Sequence, residues 1–507
     1  MPGNGNAAQY FVDRHLDEGR GDKAAFVEGD RRLSYGELAD QSDRMGDLFA
    51  RVGLRQEDRA AMLVLDVIEF PVIFWGALKA GVVPVALNTL LTTDQYRYIL
   101  GDSRARALFV SAPLLETVRP ILEDLPHLEV IFIVGGSDPA GLDFSRELGA
   151  SNRREMVEVD EDDVAFWLYS SGSTGQPKGV RHVHGALKAT SDTYGAQVLG
   201  IRSDDVIFSA AKLFFAYGLG NGMTFPMSVG ATTALLPTRP SPDAVFDIMR
   251  AIEPTIYCGV PTLYGAMLAA LGDDPVPGSG RLRISISAGE ALPAEIGQVW
   301  SNKTGTDILD GVGSTEMLHI FLSNAPDSLE YGTSGVAVPG YDLRLVDTEG
   351  SEVAPDEVGE LLVKGASASD GYWNQRDKSR ATFEGVWTRT GDKYTRRVDG
   401  RYIYCGRTDD MFKVSGQWVS PFEVEQALIS HPTVLEAAVV PALDGDGLEK
   451  PKAFVVPMDA GAGIEVPVLQ DHVKQAVGNW KYPRWIETCA DLPKTATGKI
   501  QRFKLRE

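Results

Sequence analysis

The sequence has few cysteines and no long apolar run. Only three cysteines occur in 507 residues, Cys258, Cys405 and Cys489, and they lie far apart in the chain. This spacing fits no CxxC metal or redox pattern. The most apolar region, residues 60–87, is interrupted by Asp66, Glu69, Pro71 and Lys79, so no segment approaches the roughly 20 apolar residues that span a bilayer. We therefore predict no transmembrane helix.

Basic residues are also in deficit. Lys and Arg number 49 against 70 Asp and Glu, which gives a formal net charge of -21. This balance argues against nucleic-acid and anionic-membrane partners, although it says nothing about basic patches inside a cleft. Residues 1–6 lack the basic and apolar segments of a signal peptide. With 44% hydrophobic and 23% charged residues, the composition is typical of a soluble globular protein, and we expect it to be cytoplasmic.

A chain of this length is too long for one ordinary core, so two or more domains are expected. From residue 24 onwards, short apolar runs alternate with helical patterns, which predicts an α/β fold with largely parallel strand pairing. The predicted strands of the first half are 61–65, 82–86, 107–110 and 130–134. The alternation resumes later with predicted strands at 206–208, 232–236, 256–257 and 283–287.

The pattern changes after about residue 332. Short alternating strands, including 342–346 and 359–363, predict a small β-rich subdomain. A capped helix beginning at Ser420 and strands at 437–440 and 453–456 then predict a separate C-terminal α+β domain. The predicted domains are 1–408 and 409–507, with two layered α/β subdomains and the β-rich one in the first.

A stretch rich in small residues, 169–180, follows the apolar run 164–168. Its glycines let the backbone approach an anion, its hydroxyls and Lys178 supply donors, and Pro177 limits its freedom. Because Lys178 is followed by Gly179, the stretch does not match the GxxxxGK[ST] phosphate loop. A flexible linker is the alternative, but linkers seldom lead directly into an apolar strand. The candidate phosphate-binding residues are Ser170, Ser171, Gly172, Ser173, Thr174, Gly175 and Lys178.

Three further stretches carry chemistry, each with a plainer alternative. Residues 310–316 combine glycines with the oxygen ligands that hydrated Mg²⁺ prefers, although glycine-rich turns with acids are common. Asp392 follows a Thr-Gly pair that by itself is typical of a turn, but with Arg407 it could bind a ribose diol. Gly498 gives Lys499 a flexible mount, which suits a charge that enters and leaves a site, and equally suits a surface loop.

Together these stretches resemble, in order, the signatures of the acyl-adenylate-forming superfamily, which includes acyl-CoA ligases, peptide-synthetase adenylation domains and luciferases. The resemblance extends from about residue 24 to residue 506, and implies that the C-terminal α+β domain is a small mobile lid. It further implies that Thr315 contacts phosphate and that Glu316 helps to hold Mg²⁺. Among the other implied ATP-binding residues, Ala288, Gly289, Glu290, Asp310 and Gly311 would line the adenine. Asp392 and Arg407 would bind the ribose, and Tyr404 completes the implied ATP site. Lys499 is implied as the catalytic lysine, Asp409 as the hinge of the lid, and Lys413 and Gly416 as part of the CoA channel.

The acid substrate is indicated by two stretches, the apolar run 213–219 and residues 313–320, which end in Met-Leu-His-Ile. They closely resemble the benzoate-CoA ligase branch, which implies that the aryl ring is surrounded by Phe215, Ala216, Tyr217, Gly313, His319 and Ile320. Many relatives have a Pro-Leu-x-His pattern where this chain has Lys-Leu-Phe-Phe, so Phe215 replaces a histidine gate. That departure favours a small aromatic acid over a long acyl chain, although aromatic residues here could also simply pack.

The resemblance implies an ATP-dependent, Mg²⁺-requiring ligase, a monomer or homodimer, that converts benzoate or a close analogue to its CoA thioester through an acyl-AMP, releasing AMP and pyrophosphate. A stand-alone adenylation enzyme that loads a carrier protein and a catalytically silent nucleotide-binding relative are the alternatives. His182 and His184 lie two apart on a predicted strand. They have no third ligand residue beside them in the sequence, so we interpret them as structural rather than metal-binding.

Overall fold

The computed structural model describes residues 5–170, 176–408, 410–414, 417–445, 448–459, 463–494 and 500–506. The chain divides into two compact units. The first unit comprises Met1–Asp342 and Val363–Thr388, and the second comprises Leu343–Leu362 and Arg389–Glu507. Among the described residues, no helix combines the length and apolarity needed to cross a bilayer.

The strands, in chain order, are β1 (Ala24–Glu28), β2 (Arg31–Ser34), β3 (Arg59–Leu63), β4 (Val83–Ala86), β5 (Ala107–Ser111), β6 (Val130–Val134), β7 (Leu142–Asp143), β8 (Val164–Ser170), β9 (Lys178–Val183), β10 (Val206–Ser209), β11 (Thr232–Ala234), β12 (Ile256–Gly259), β13 (Ile284–Ala288), β14 (Ile308–Gly313), β15 (Ile320–Ser323), β16 (Val336–Ala337), β17 (Asp342–Val346), β18 (Gly359–Lys364), β19 (Gly371–Tyr372), β20 (Phe383–Glu384), β21 (Trp387–Arg396), β22 (Tyr402–Arg407), β23 (Phe412–Val414), β24 (Gln417–Val419), β25 (Val434–Leu443), β26 (Glu449–Pro457) and β27 (Trp485–Thr488).

The α-helices are α1 (Arg14–Asp17), α2 (Tyr35–Arg51), α3 (Glu69–Lys79), α4 (Thr93–Ser103), α5 (Leu115–Val118), α6 (Phe144–Gly149), α7 (His184–Thr190), α8 (Ala216–Leu219), α9 (Phe225–Val229), α10 (Pro242–Ile252), α11 (Pro261–Leu271), α12 (Ala294–Thr304), α13 (Arg376–Thr382), α14 (Pro421–Ile429) and α15 (Val466–Val477). Short π-helices occupy Gln9–Asp13, Ser191–Val198 and Gly220–Thr224, and 3₁₀-helices occupy Ala112–Leu114, Arg119–Asp124 and Arg502–Leu505.

Two large sheets form the first unit. The eight-stranded sheet has the order β19-β9-β8-β4-β3-β5-β6-β7, in which β9 and β19 are the antiparallel strands at one edge. The nine-stranded sheet has the order β16-β15-β14-β13-β12-β10-β11-β1-β2 and is parallel from β14 to β1. The α/β class and the largely parallel pairing predicted from the alternating pattern are therefore confirmed.

The largest apolar core of the first unit includes side chains from both sheets together with those of α2 and α3. Helix α2 begins at a capping box: Ser34 Oγ accepts from the Glu37 backbone N–H, and the Glu37 carboxylate accepts from the Ser34 N–H. This local arrangement was predictable from the Ser-x-x-Glu spacing. Helix α3 is buried from Phe70 to Lys79, as expected for a helix that lies in the middle of a layered core.

Smaller sheets follow. A five-stranded sheet has the order β17-β18-β21-β20, with β22 beside β21. The hairpin β23-β24 precedes the three-stranded sheet β25-β26-β27, which packs with α14 and α15 around its own apolar core. The predicted small C-terminal domain with β-strands is confirmed, and so is the capped helix, since Ser420 Oγ accepts from the Glu423 N–H.

Element bounds differ from the sequence prediction where strand pairing, rather than apolarity, ends a strand. The predicted strand 61–65 is β3, which ends at Leu63 because its last pairing partner is Val110; beyond it, Leu65 N–H donates to Ser111 Oγ at 3.0 Å. Conversely, β25 and β26 pair from Val434 to Leu443, well beyond the predicted run 437–440, because ladder hydrogen bonds do not require apolar side chains.

Candidate active site

The predicted phosphate-binding stretch connects two paired strands at one edge of the eight-stranded sheet. Strands β8 and β9 are antiparallel, and Ser170 lies opposite Lys178 in their register. Residues 171–175 between them, including the predicted Ser171, Gly172, Ser173, Thr174 and Gly175, lie outside the described residues. The hairpin therefore fixes the two ends of the stretch and places Lys178 at the first position of β9.

Lys178 lies beside Glu316. A polyphosphate site needs both groups, a cation for the phosphates and a carboxylate for their metal ion. Lys178 Nζ is 3.6 Å from Glu316 Oε1, and both side chains are largely buried. Tyr372 lies between them: its hydroxyl donates to Glu316 Oε1 at 2.8 Å and accepts from Lys178 Nζ at 3.1 Å. The structure thus brings together the predicted phosphate-binding lysine and the predicted magnesium carboxylate.

The predicted adenine-binding residues meet at the carboxyl ends of two neighbouring parallel strands. Ala288 on β13 lies opposite Gly311 on β14, and Ser287 lies opposite Asp310. After β13 the chain turns at Gly289, which has φ +93° and open space where a Cβ would stand; Glu290 follows at the half-buried rim. The carboxyl ends of parallel strands are where α/β folds usually bind ligands.

Asp310 is unusual because it is buried with no charged partner among the described residues. Burial raises its pKa to about 8, even though a hydrogen bond from the Leu292 backbone opposes the shift. Its Oδ1 has no hydrogen-bond partner among the described atoms. A buried carboxyl of this kind can bind a polar ligand group, which is compatible with its predicted place beside the adenine.

The first half of the predicted aryl-binding wall is the start of α8. Phe215 occupies the N-cap of the helix, and Ala216 and Tyr217 follow as its first residues, all three half-buried. The Tyr217 hydroxyl lies 3.1 Å from the carbonyl oxygens of both Gly259 and Ile286. These contacts hold the tyrosine ring against the end of β12 and the middle of β13.

The second half of the wall is the hairpin formed by β14 and β15, in which Gly313 lies opposite Ile320. A Cβ on Gly311 would stand 2.7 Å from Ile320 Cδ1, so a larger residue there would displace the Ile320 side chain. At the end of the turn, His319 Nε2 lies 3.2 Å from the carbonyl oxygen of Tyr217. The structure therefore joins the two predicted halves of the wall through His319 and Tyr217.

His319 is a neutral histidine in an apolar setting. Its ring is buried, 4.5 Å from the ring of Phe225 and 5.4 Å from that of Tyr194. Burial lowers its pKa to about 3, with the Tyr217 carbonyl opposing the shift. Because a carbonyl can only accept, Nε2 carries the proton, which leaves Nδ1 as an acceptor with no described partner. The close fit also requires Gly220, whose Cβ would stand 2.3 Å from the imidazole.

The predicted ribose-binding residues lie together in the second unit. Asp392 on β21 is directly opposite Arg407 on β22, and Arg407 Nη1 donates to Asp392 Oδ1 at 2.9 Å. Tyr404, also on β22, is half-buried, with its ring 5.2 Å from that of Phe422 and 5.3 Å from that of Tyr394. The remaining predicted residues of this unit, Asp409, Gly416, Lys499 and the side chain of Lys413, lie outside the described residues.

The residues present fit the single Mg²⁺ that accompanies a polyphosphate. The part of the chain that the structure describes contains no cluster of three or more Asp, Glu, His or Cys that could enclose a metal ion. Mg²⁺ in such sites is usually bound by one or two carboxylates together with phosphate oxygens and water. Glu316, with Thr315 beside it at a half-buried bend after β14, would supply one such carboxylate.

Three sets of residues at or near these sites were not predicted from the sequence. The first is Tyr372. The second is Asp66, which accepts from the Leu213 backbone N–H at 3.2 Å and lies 3.8 Å from Lys212 Nζ at the base of the aryl wall; burial raises the pKa of Asp66 to about 6.

The third set lies in the second unit. Arg502 binds the buried Glu425 through two hydrogen bonds of 2.9 and 2.6 Å and also reaches Asp410, next to the predicted hinge. All three sets join residues that are far apart in sequence.

His182 and His184 have structural positions, in line with our interpretation. His182 is buried on β9 with its ring stacked on Phe166 at 5.1 Å, and burial lowers its pKa to about 3. His184 does not continue the strand as expected but begins α7, because the pairing of β9 with β8 ends at Val183. Its Nδ1 accepts from the Ala7 backbone N–H at 3.2 Å.

Comparisons with known proteins agree over the whole chain. Residues 13–373 match the AMP-binding enzyme family and residues 423–499 match the AMP-binding enzyme C-terminal domain. The 4-hydroxybenzoate–CoA/benzoate–CoA ligase of Rhodopseudomonas palustris is 56% identical over 99% of this chain and 94% of its own length. The benzoate–CoA ligase of Thauera aromatica is 52% identical over 100% of this chain and 96% of its own.

A solved structure agrees as well. The crystal structure of a benzoate CoA ligase from Burkholderia xenovorans LB400 superimposes with a TM-score of 0.91 at 47% identity, covering 100% of both chains. On the strength of its two matched domains and its full-length similarity to these ligases, the chain belongs to the AMP-binding, acyl-adenylate-forming enzyme family, in the branch of the benzoate-CoA ligases.

Proposed function

We propose that this protein is an ATP-dependent, AMP-forming ligase that converts benzoate or a closely related aromatic carboxylate to its CoA thioester. The observation that carries the proposal is the 56% identity, across nearly the full length of both chains, to a ligase named for 4-hydroxybenzoate and benzoate. The apolar wall of α8 and the β14–β15 hairpin supports it, since a benzoate ring needs an aromatic pocket rather than a charged one.

The reaction has two steps. In the first, a carboxylate oxygen of the acid attacks the α-phosphorus of ATP, an acyl–O–P bond forms, and the bond to pyrophosphate breaks. In the second, the CoA thiolate attacks the acyl carbon and AMP leaves with its bonding electron pair. The thiol proton passes to solvent. AMP is a far better leaving group than the oxide that would leave an unactivated acid, which is why adenylation comes first.

The chain's own residues would bind and orient the reactants. Lys178 and the hydroxyls of the phosphate-binding stretch would hold the β- and γ-phosphates, and Glu316 would hold Mg²⁺, whose charge reduces the repulsion between the phosphates and the attacking carboxylate. Ala288, Gly289 and Gly311 would line the adenine. Lys499 would balance the charge on the carboxylate and the α-phosphate.

The uncharged form of His319 is the form expected beside the aryl ring of the acid substrate. A positive imidazolium beside an uncharged aryl ring would have to be desolvated without a counter-charge, whereas the neutral imidazole packs among the rings of Phe225, Tyr194 and Tyr217 at little cost. His319 Nδ1, which has no partner among the described atoms, is an acceptor to which a hydroxyl or amino substituent of the acid could donate. Benzoate and its hydroxy or amino analogues are therefore the acids to compare.

We also propose that residues 409–507 form a lid that turns about Asp409 between the two steps, with Lys413 and Gly416 taking part in the thiol channel. The separate match of residues 423–499 to a C-terminal family domain supports a distinct domain there. The protein would act in the cytoplasm as a monomer or homodimer, and its negative charge gives no reason to expect nucleic-acid or membrane partners.

The test is to incubate the purified protein with benzoate, Mg-ATP and CoA and to identify the products by liquid chromatography and mass spectrometry. We expect benzoyl-CoA and an equal amount of AMP. Benzoyl-AMP that accumulates with CoA unused would favour a carrier-protein-loading enzyme, and neither product from any acid would indicate a catalytically silent protein. A panel with 4-hydroxybenzoate, 3-hydroxybenzoate and anthranilate in the same assay ranks the acids by kcat/KM.

A further inference from the structure

Tyr372 lies beside the phosphate-binding lysine because of the sheet order. Strand β19 pairs with β9 so that Tyr372 is opposite Val180. Residues opposite each other in an antiparallel pair project to the same face, and so does the residue two positions further along. Lys178 is two positions before Val180, so Tyr372 and Lys178 are diagonal neighbours on one face of the sheet. The Tyr372 backbone is held as well, since its N–H donates to Ser379 Oγ at 3.1 Å.

The tyrosine contacts both charged side chains of the site. Lys178 Nζ lies 4.3 Å from the centre of the Tyr372 ring and 3.1 Å from its hydroxyl. The hydroxyl also lies 2.8 Å from Glu316 Oε1, whereas Lys178 Nζ and Glu316 Oε1 are 3.6 Å apart. The hydroxyl is therefore closer to each charged group than the two charged groups are to each other.

The hydrogen-bond directions in this trio are determined by its chemistry. An ammonium only donates and a carboxylate only accepts, so the single phenolic proton is donated to Glu316 and the phenolic oxygen accepts from Lys178. Without the hydroxyl, Lys178 Nζ and a Glu316 carboxylate oxygen could approach each other to about 2.7–2.9 Å, the length of a charge-assisted hydrogen bond. Each would then neutralise the other, and a polyphosphate would have to break a largely buried ion pair to reach the lysine.

We propose that Tyr372 is a positioning residue whose hydroxyl keeps Lys178 and Glu316 apart and oriented, so that the lysine is available to a polyphosphate and the carboxylate to its metal ion. The inference rests on the proposed function in so far as that function places Mg-ATP at this site. Tyr372 itself would not contact the reacting atoms. The effect of the hydroxyl should depend on the charge of Glu316, which a merely structural tyrosine would not require.

The test is a double-substitution cycle read by ATP binding rather than by turnover. The dissociation constant of ATP is measured by equilibrium titration, without acid or CoA and with EDTA present, for the wild type, Tyr372→Phe, Glu316→Gln and the double variant. Omitting the metal leaves Lys178 as the group whose availability is measured. Tyr372→Phe keeps the ring over Lys178 and its packing against Phe383, 5.3 Å away.

We expect Tyr372→Phe to weaken ATP binding about tenfold when Glu316 is present and less than twofold in the Glu316→Gln background, since about 1.4 kcal/mol corresponds to a tenfold change. Tyr35→Phe is the control, because it also removes a buried hydroxyl, one that donates to the Ala231 carbonyl at 2.8 Å in another part of the unit. It should leave the constant within twofold of wild type.

Equal weakening by Tyr372→Phe in both backgrounds, or no weakening in either, would overturn the inference while leaving the proposed function intact. A wild-type protein that binds no ATP at all, with or without Mg²⁺, would overturn both. A thermal unfolding midpoint measured for each variant shows whether a folding defect contributes to the weakening.

Discussion

Arg407 and Asp392 face each other directly across two antiparallel strands, with Nη1 of the arginine 2.9 Å from Oδ1 of the aspartate. The same Nη1 also donates to the Thr390 carbonyl at 3.0 Å. Between Thr390 and Asp392 the chain passes through Gly391, with φ +72°, where a Cβ would stand 2.9 Å from the guanidinium. The Thr-Gly-Asp sequence therefore forms part of a strand whose glycine gives the arginine room to lie over the backbone.

This pair leads to a prediction about ATP. Asp392→Asn keeps the size of the side chain but removes the charge that orients Arg407 and that would accept from the ribose hydroxyls. We expect the KM for ATP to rise about tenfold while the KM for benzoate changes less than twofold. Asp399→Asn is the matched control, because Asp399 pairs with Arg401 at 3.0 Å at the other end of the β21–β22 hairpin. Similar changes in both KM values for Asp392→Asn would argue against a ribose contact.

A second prediction concerns the aryl wall. Ala216 begins α8 and is half-buried beside Phe215 and Tyr217, so Ala216→Trp would fill the space proposed for the ring. Overpacking of this kind forces clashes rather than a simple loss of contact. We expect benzoate turnover to be lost, with smaller acids retaining some activity. Ala269→Trp, at an exposed position of α11, should be close to wild type. Unchanged benzoate kinetics in Ala216→Trp would remove Ala216 from the ring site.

The elements and stretches that the sequence predicted correctly are those encoded by neighbouring residues. The capped helix that follows Ser420 and the strand predicted at 107–110 depend on residues within a few positions of each other, so composition and spacing reveal them. Tyr372 was missed because it lies 194 residues from Lys178 and 56 from Glu316. Only the order of strands in the sheet, which places β19 next to β9, brings these three together.

Asp66 was missed for the same reason. It accepts a hydrogen bond from the Leu213 backbone, 147 residues away in the sequence. The sequence around an isolated Asp in an apolar run does not predict which residue it will contact. The ends of strands are a second limit, because β3 and β25 end where their ladders end. That depends on the partner strand, whose register a single sequence does not reveal.

A third prediction follows from the pKa of His319, which burial lowers to about 3 from the usual histidine value of about 6.5. In the unfolded chain this histidine becomes protonated below about pH 6.5, whereas in the folded chain it becomes protonated only below about pH 3. Stability is therefore full above pH 6.5 and is lost as the pH falls. Between pH 7.5 and 5.5, His319 alone should lower the free energy of unfolding by roughly 1 kcal/mol.

The measurement compares how far the urea midpoint falls between these two pH values in wild type and in His319→Phe. The fall should be smaller in the variant. Three other histidines, His15, His182 and His184, also have pKa values lowered by burial, but they are present in both proteins and cancel in the comparison. His127→Phe, at an exposed position, is the control. An identical fall in wild type and His319→Phe would mean that His319 is not held neutral.

A fourth prediction concerns the stability of the second unit. The Glu425 carboxylate is 4% exposed and accepts two hydrogen bonds from Arg502 and one from the Val439 backbone N–H at 2.7 Å. Arg502→Met leaves that carboxylate buried without its partner, which typically costs about 3–5 kcal/mol. We expect calorimetry to show a lower unfolding temperature for this unit. Adding Glu425→Met should restore much of the loss, because it removes the unpaired charge.

The control for this pair is Arg506→Met. Arg506 binds Asp410 at 2.6 Å, but its side chain is 31% exposed, and partly exposed ion pairs contribute little to stability. A loss in Arg506→Met as large as that in Arg502→Met would show that the C-terminal turn, rather than the buried carboxylate, is responsible.

The last prediction separates the two half-reactions. Lys499 and Asp409 lie outside the described residues, and their roles follow from the family resemblance. Lys499→Ala should slow adenylation about 10²–10³-fold, the usual effect of losing one preorganised charge contact. The variant should still transfer benzoyl from supplied benzoyl-AMP to CoA. Asp409→Pro restricts the backbone φ at the hinge. It should spare adenylation more than thioester formation, provided that it holds the lid in the adenylating orientation.

The measurements are pyrophosphate release with benzoate and ATP for the first step, and benzoyl-CoA formation from benzoyl-AMP for the second. Asp409→Ala is the matched control for the proline variant, because it removes the same side chain and leaves the backbone free to turn; both of its rates should exceed the thioester rate of Asp409→Pro. Equal loss of both steps in Lys499→Ala would contradict a lid that serves the steps in turn. No loss of either step would remove Lys499 from the active site, since a residue that balances charge on the α-phosphate cannot be dispensable for adenylation.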